Sequence, residues 1–82
     1  VIDMIAKARA AKVENLDAFL KTRKFNAKQI AGFQAAHIAD EGRPIENLWD
    51  VSTGITAYAR DIKFQDARVE LERQAGLILD MA

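Results

Sequence analysis

Asn47-Leu48-Trp49-Asp50-Val51-Ser52-Thr53-Gly54-Ile55-Thr56-Ala57-Tyr58-Ala59-Arg60-Asp61 is the stretch that decides the fold. It holds the single Trp and the single Tyr of the chain. Leu48, Val51 or Ser52, Ile55, Tyr58 or Ala59, and Ile62 recur at steps of three and four, the period of a helix face. Trp49 lies beside that stripe and broadens it. Asn47 or Glu46 starts the helix, and Pro44 fixes the approach to it through its locked φ. Gly54 in mid-helix costs about 1 kcal/mol relative to Ala. Close approach of a second helix is the usual reason to accept that cost, so one is expected to cross here. The stretch reads as one buried, central helix.

Working upstream, Asn26 and Gln29 have the spacing of a capping box. They predict a helix from Ala27 to about Asp40, with Ile30, Phe33, Ala36 or His37, and Ile38 facing inward. Gly42 stands where a left-handed residue closes a helix. Before it comes the basic turn Lys21-Thr22-Arg23-Lys24-Phe25. The first helical stretch runs from about Ile2 to Arg23, with a stripe of Ile2, Ala6, Ala10, Val13, Leu16 and Leu20, widened by Ile5 and Phe19. Asn15 is an N-cap residue type, so the stretch is either one long helix or two short ones. Downstream, Asp61–Asp66 is a short connection. Asp66 is the expected N-cap of the last helix, whose core stripe is Phe64, Ala67, Leu71, Ala75 and Ile78, extended by Leu79. Gly76 is a second expected point of close contact.

Ala, Leu, Lys, Glu, Gln and Arg dominate, and strand-like alternation nowhere persists. The expected fold is therefore all-α: a compact bundle of four or five helices with short loops, which favour antiparallel neighbours. The core is expected to include Val13, Leu16, Leu20, Ile30, Phe33, Leu48, Ile55, Tyr58, Leu71, Ala75 and Ile78. Eighty-two residues make one small domain. With 50% apolar and 29% charged residues, the composition is that of a globular chain. There is no Cys, which excludes disulfides and thiolate metal sites. No apolar run approaches the ~20 residues of a membrane span, and no signal-peptide pattern opens the chain. The expected location is cytoplasmic, with no membrane partner. The chain opens on Val1 rather than Met, which predicts a piece of a longer protein.

Net charge is zero but unevenly distributed. Residues 1–39 carry seven Lys or Arg against three Asp or Glu, a charge of +4, and residues 40–82 carry five against nine, a charge of −4. This polarity can steer self-association or docking, although two halves of one fold can also simply neutralise each other.

Trp49-Asp50, then Gly54-Ile55-Thr56-Ala57-Tyr58-Ala59-Arg60, then Asp66-Ala67-Arg68, Leu71-Glu72-Arg73 and Ala75-Gly76 form a pattern more specific than a generic helix. Over residues 46–79 it resembles the C-terminal end of the phage/plasmid-like proteins grouped as domain of unknown function 932. Residues 1–45 share only general helical character with them. The resemblance implies the tail of a protein several times longer, carried on prophages, plasmids and other mobile elements. It implies a role in DNA metabolism and brings no catalytic residues with it.

The residues themselves offer little chemistry. His37 is the sole histidine. With Glu41 one turn on, it supplies two metal ligands where a zinc site wants at least three, so it reads as a residue at the boundary of core and solvent. Ser52, His37 and Asp50 can be written as a triad, but Asp50 and Ser52 lie on different helix faces and Ser52 is on no strained turn. Gly54 and Gly76 are isolated, so no phosphate-cradling loop exists. Asp61, Asp66, Glu70 and Glu72 read as a solvated face. Arg60 with Asp61, and Arg68 with Glu72, read as local ion pairs.

Two candidate surfaces remain. Lys21, Arg23, Lys24 and Lys28 around Phe25 would track a phosphate backbone while an exposed Phe25 stacked on a base. The bland alternative is a solvated turn stapled to Phe33 or Leu20. Trp49, Gly54 and Tyr58 are the candidate interface, since a half-exposed Trp anchors interfaces. The leading expectation is a non-enzymatic helical domain for interaction and assembly, with a protein partner or a second copy of itself. No cofactor, metal or small-molecule substrate is expected. The alternative is single-stranded nucleic-acid binding through the Lys21–Lys28 turn.

Overall fold

The computed structural model describes residues 2–82, apart from the side chain of Ile2. It is all-α, with α1 (Ile2–Ala10), α2 (Leu16–Thr22), α3 (Ala27–Glu41), α4 (Leu48–Ala59) and α5 (Gln65–Asp80). The described residues hold five helices and no strand.

The first stretch is two helices. Asn15 caps α2, its side chain accepting from the Ala18 N–H. Between α1 and α2 the backbone extends and pairs with the segment before α4. The Val13 N–H donates to the Glu46 carbonyl and the Leu48 N–H to the Ala11 carbonyl, both at 3.0 Å. Because the helix breaks at Ala10, the stripe expected through Ala6 and Ala10 does not form. Those two residues are exposed, Ala8 is buried, and Ile5 is half-buried. The place of Ile2 in that stripe lies outside the described side chains.

Helix α3 opens on the capping box expected of Asn26 and Gln29, with both reciprocal hydrogen bonds formed. It closes on Gly42 in the left-handed conformation at φ 75°. Helix α4 opens on Asn47, whose side chain accepts from the Asp50 N–H at 2.8 Å. It is the hub of the bundle, packing on α3, α5 and α1. Only one of its 12 residues, Asp50, is charged, and a helix apolar nearly all round is a helix covered nearly all round. Gly54 lies under α3: a Cβ there would meet the Phe33 carbonyl oxygen at 3.2 Å and the His37 Cβ at 3.4 Å. The close crossing expected at Gly54 is present.

Leu20, Ile30, Phe33, Leu48, Ile55, Leu71, Ala75 and Ile78 are buried as expected. Val13, Leu16 and Tyr58 pack against that core while partly exposed. Val51 and Ser52 are both buried, as is Ala59, while Ile38 is exposed. Phe25 and Ile45 also enter the core.

The start of α5 differs from the sequence reading. Phe64, not Asp66, is the N-cap, and no side chain caps the helix. Phe64 was expected on the core stripe, seven residues before Leu71. The helix begins only after it, so extended backbone (φ −80°, ψ 118°) carries its ring outward, and it is 80% exposed. Ala67 is exposed. Gly76 has open space where a Cβ would stand, so it is no point of close contact. The tight glycine outside α4 is instead Gly32, whose missing Cβ makes room for the Tyr58 ring.

Candidate functional site

The basic turn is a Schellman motif built without glycine. The Phe25 N–H reaches back to the Leu20 carbonyl at 3.1 Å and the Lys24 N–H to the Lys21 carbonyl at 3.0 Å. This pairing closes a helix around one left-handed residue, with an apolar contact between the residue after it and the last turn. Lys24 takes the left-handed position at φ 70°. Phe25 is therefore turned inward. It is 8% exposed and packs edge-on against Phe33, with ring centroids 5.0 Å apart. A base cannot stack on Phe25 in this conformation, which corrects the expectation of an exposed aromatic. Lys21, Lys24 and Lys28 are exposed. Arg23 is half-buried, its guanidinium donating to the Gln74 side-chain oxygen at 3.2 Å and tying the turn to α5.

The three candidate interface residues separate. Gly54 is buried under α3 and Ile45, so it serves internal packing. Trp49 is half-buried with the Arg9 guanidinium carbon 5.4 Å from its ring centroid, within the range of a cation–π contact. Its face is thus covered from α1. Tyr58 packs edge-on against Phe33 at 5.1 Å and keeps part of its ring exposed in a cleft.

That cleft, of about 420 Å³, lies between the Schellman turn, the end of α4 and the first half of α5. Phe25, Tyr58, Ile62 and Leu71 supply its apolar lining, and Arg23, Lys24, Gln29 and Gln74 its polar edge. Glu70 also lines it, but its carboxylate is engaged by Arg73 at 2.6 Å and by Gln74 at 3.1 Å. The Arg73 hydrogen bonds, joined by that from Gln74, hold the Glu70 carboxyl below its ordinary pKa.

A second cluster, which the sequence reading did not assemble, is buried at the α3–α4 crossing. His37 is fully buried, not at the boundary of core and solvent. Its Nδ1 lies 2.7 Å from the Arg43 carbonyl. A carbonyl only accepts, so Nδ1 carries the hydrogen and Nε2 faces Asp50 Oδ1 at 3.5 Å. Asp50 is 1% exposed and accepts from both terminal nitrogens of Arg43, at 2.5 and 2.8 Å, and from the Glu46 N–H at 3.1 Å. Burial pushes the Asp50 carboxyl up, but the Arg43 hydrogen bonds, the Glu46 N–H and the positive field of Arg43 together outweigh it and hold the carboxyl below its usual range. The same contacts raise the already high pKa of Arg43.

Both ring nitrogens of His37 are thus directed at Arg43 and Asp50. Its geometry is that of a clamp holding the α3–α4 loop. The signal for it was the lone charge in an otherwise uncharged helix. The expected local ion pairs take other partners: Arg60 reaches Asp40 at 3.5 Å, and Arg68 donates to the Ile62 carbonyl at 3.4 Å.

Among the described residues, no three His, Asp or Glu side chains converge as metal ligands. No helix among the described residues is long and apolar enough to cross a membrane. No family model, curated protein or solved structure matches this chain.

Proposed function

We propose that this chain is a non-enzymatic helical interaction and assembly domain of a phage- or plasmid-related protein that supports DNA metabolism. The setting on mobile elements rests on the resemblance over residues 46–79. The observation that carries the assembly role is the exposed apolar set along α5 and at its ends. Of the six large apolar side chains that the described residues expose, Phe64, Val69, Leu77 and Met81 lie on α5 or at its ends. Its inner side is filled by Leu71, Ala75 and Ile78. Aromatic and Met side chains outside a core are enriched where proteins dock.

The alternative, single-stranded nucleic acid on the basic turn, is supported by the exposure of Lys21, Lys24 and Lys28. The burial of Phe25 weakens it, because sequence-tolerant binding of single strands leans on aromatic stacking.

Light scattering of the chain with and without a short single-stranded oligonucleotide, at low and high salt, tests the reading. Association without DNA, unchanged by Lys24→Glu, is expected. A monomer that gains mass only with DNA at low salt refutes it. Three lysines on phosphates would then weaken binding roughly 20-fold from 50 to 200 mM salt, and Lys24→Glu would abolish it.

A further inference from the structure

We infer that the cleft beside the Schellman turn binds a small organic anion, a carboxylate or phosphate carried on an apolar body. Such a ligand is independent of the assembly role and is not expected from the sequence alone.

The hydrogen bonds along the polar edge select the charge. Its side-chain acceptors are already engaged. The Gln29 oxygen accepts from the Asn26 N–H at 3.0 Å, and the Gln74 oxygen from the Arg23 guanidinium at 3.2 Å. Both Glu70 oxygens accept from Arg73, and one of them from Gln74 as well. The donors are open. Arg23 commits Nη2 to Gln74, while its Nε is buried with no partner. The Lys24 ammonium is exposed, and Gln29, its oxygen held in the capping box, has its amide N–H group left to offer. Open donors beside engaged acceptors suit a group that only accepts, and an ionised carboxylate or phosphate is one. The net charge agrees. Arg23, Lys24 and Glu70 line the cleft and Arg73 holds Glu70, three bases against one acid, a charge of +2. Around Ile62 and Ala67, Asp61 and Asp66 are matched by Lys63 and Arg68.

The apolar lining selects the body. Half-buried Tyr58 and Ile62 and exposed Ala67 stand there together with buried Phe25 and Leu71. The cleft volume of about 420 Å³ lies within the roughly 300–1,000 Å³ of small-molecule sites. Lys24 is a further sign. Its left-handed backbone at φ 70° is strained for a residue with a Cβ, and glycine is the usual occupant of this Schellman position. Lysine there lowers stability but sets an ammonium on the cleft edge, which has a use once an anion sits between it and Arg23.

Titration of the isotope-labelled whole chain with phenyl phosphate and with phenylacetate, followed by amide chemical shifts, tests this. Phenethyl alcohol and phenethylammonium carry a similar body without the negative charge and serve as controls. Both anions are expected to saturate at millimolar concentration and to shift the amides of Lys24, Tyr58 and Leu71. The controls should bind about tenfold more weakly or less. Arg23→Gln is expected to weaken both anions about tenfold. Lys24→Gly should weaken them severalfold while the melting temperature holds or rises, which separates loss of binding from loss of folding. Controls that bind as tightly as the anions overturn the site. So do anions that leave the amides of the cleft unmoved, and an anion affinity that Arg23→Gln does not change.

Discussion

Two mid-helix glycines, Gly54 and Gly76, should respond to the same substitution with opposite signs. Replacing either with Ala gains about 1 kcal/mol of helix propensity. At Gly76 nothing lies within 4 Å of the new methyl group, so most of that gain should appear as stability. At Gly54 the methyl meets Ile45 Cδ1 at 3.0 Å, the Phe33 carbonyl oxygen at 3.2 Å and the His37 Cβ at 3.4 Å. The Ile45 terminus can rotate aside, but the Phe33 oxygen belongs to the α3 backbone and cannot move without shifting the helix. Overpacking of this kind costs about 1–3 kcal/mol, which outweighs the propensity gain. Gly54→Ala should therefore lose about 1 kcal/mol net, while Gly76→Ala gains about 0.5–1 kcal/mol. For a domain of this size 1 kcal/mol moves the melting temperature by about 4–8 °C, so thermal unfolding followed by far-ultraviolet circular dichroism separates the two variants. A Gly54→Ala protein at least as stable as wild type would refute the tight α3–α4 crossing.

Asp50→Ala should destabilise the fold by about 1–3 kcal/mol in denaturant titration, because it removes the acceptor of both terminal nitrogens of Arg43 and of the Glu46 N–H; a loss below about 0.5 kcal/mol would show that the clamp contributes little. The carboxyl of Asp50 is held below its usual range, so the unfolded chain takes up its proton first as pH falls. The stability this group adds is complete above its unfolded pKa, near about 3.9, and fades as pH drops through its folded pKa. Stability below about pH 4 should therefore fall more steeply for wild type than for Asp50→Asn, and parallel acid limbs would contradict this. Lys24→Gly should stabilise the chain by about 0.5–1 kcal/mol, since glycine takes the left-handed conformation without the Cβ conflict, less the entropy it adds to the unfolded state. A destabilised Lys24→Gly would mean that the Lys24 side chain itself holds the turn.

The elements with strong local signals were legible in the sequence. Asn15, Asn26 and Asn47 each announce a helix start through a side chain that serves its own backbone three residues on. Such signals need no tertiary information. The Schellman turn carries no such signal, because its left-handed position is filled by Lys24, where glycine is the usual marker. That one substitution concealed the inward turn of Phe25 and made a core aromatic look available for stacking. Asp50 was hidden for another reason. It lies opposite the apolar stripe of α4, which implies solvent for a helix at the surface but not for one enclosed by α1, α3 and α5. His37 and Arg43 belong to the same cluster through a loop whose path no periodicity describes. Phe64 shows the limit of a spacing rule: the seven-residue step to Leu71 has meaning only if the helix already exists at Phe64.

The short backbone pairing between residues 11–13 and 46–48 gives the molecule an unusual seam. Its two hydrogen bonds tie the connection after α1 to the threshold of α4, about two-fifths of the chain away. Helix α1 packs on α4 and α5, but the seam lies beyond its last residue, so the helix can fray as far as Ala10 while the amides of Val13 and Leu48 keep their acceptors. Amide hydrogen exchange at those two positions would time the opening of the seam itself. Equal rates, slower than those of the α1 amides, would mark the seam as the boundary at which fraying of the first helix stops and cooperative opening of the remaining four begins.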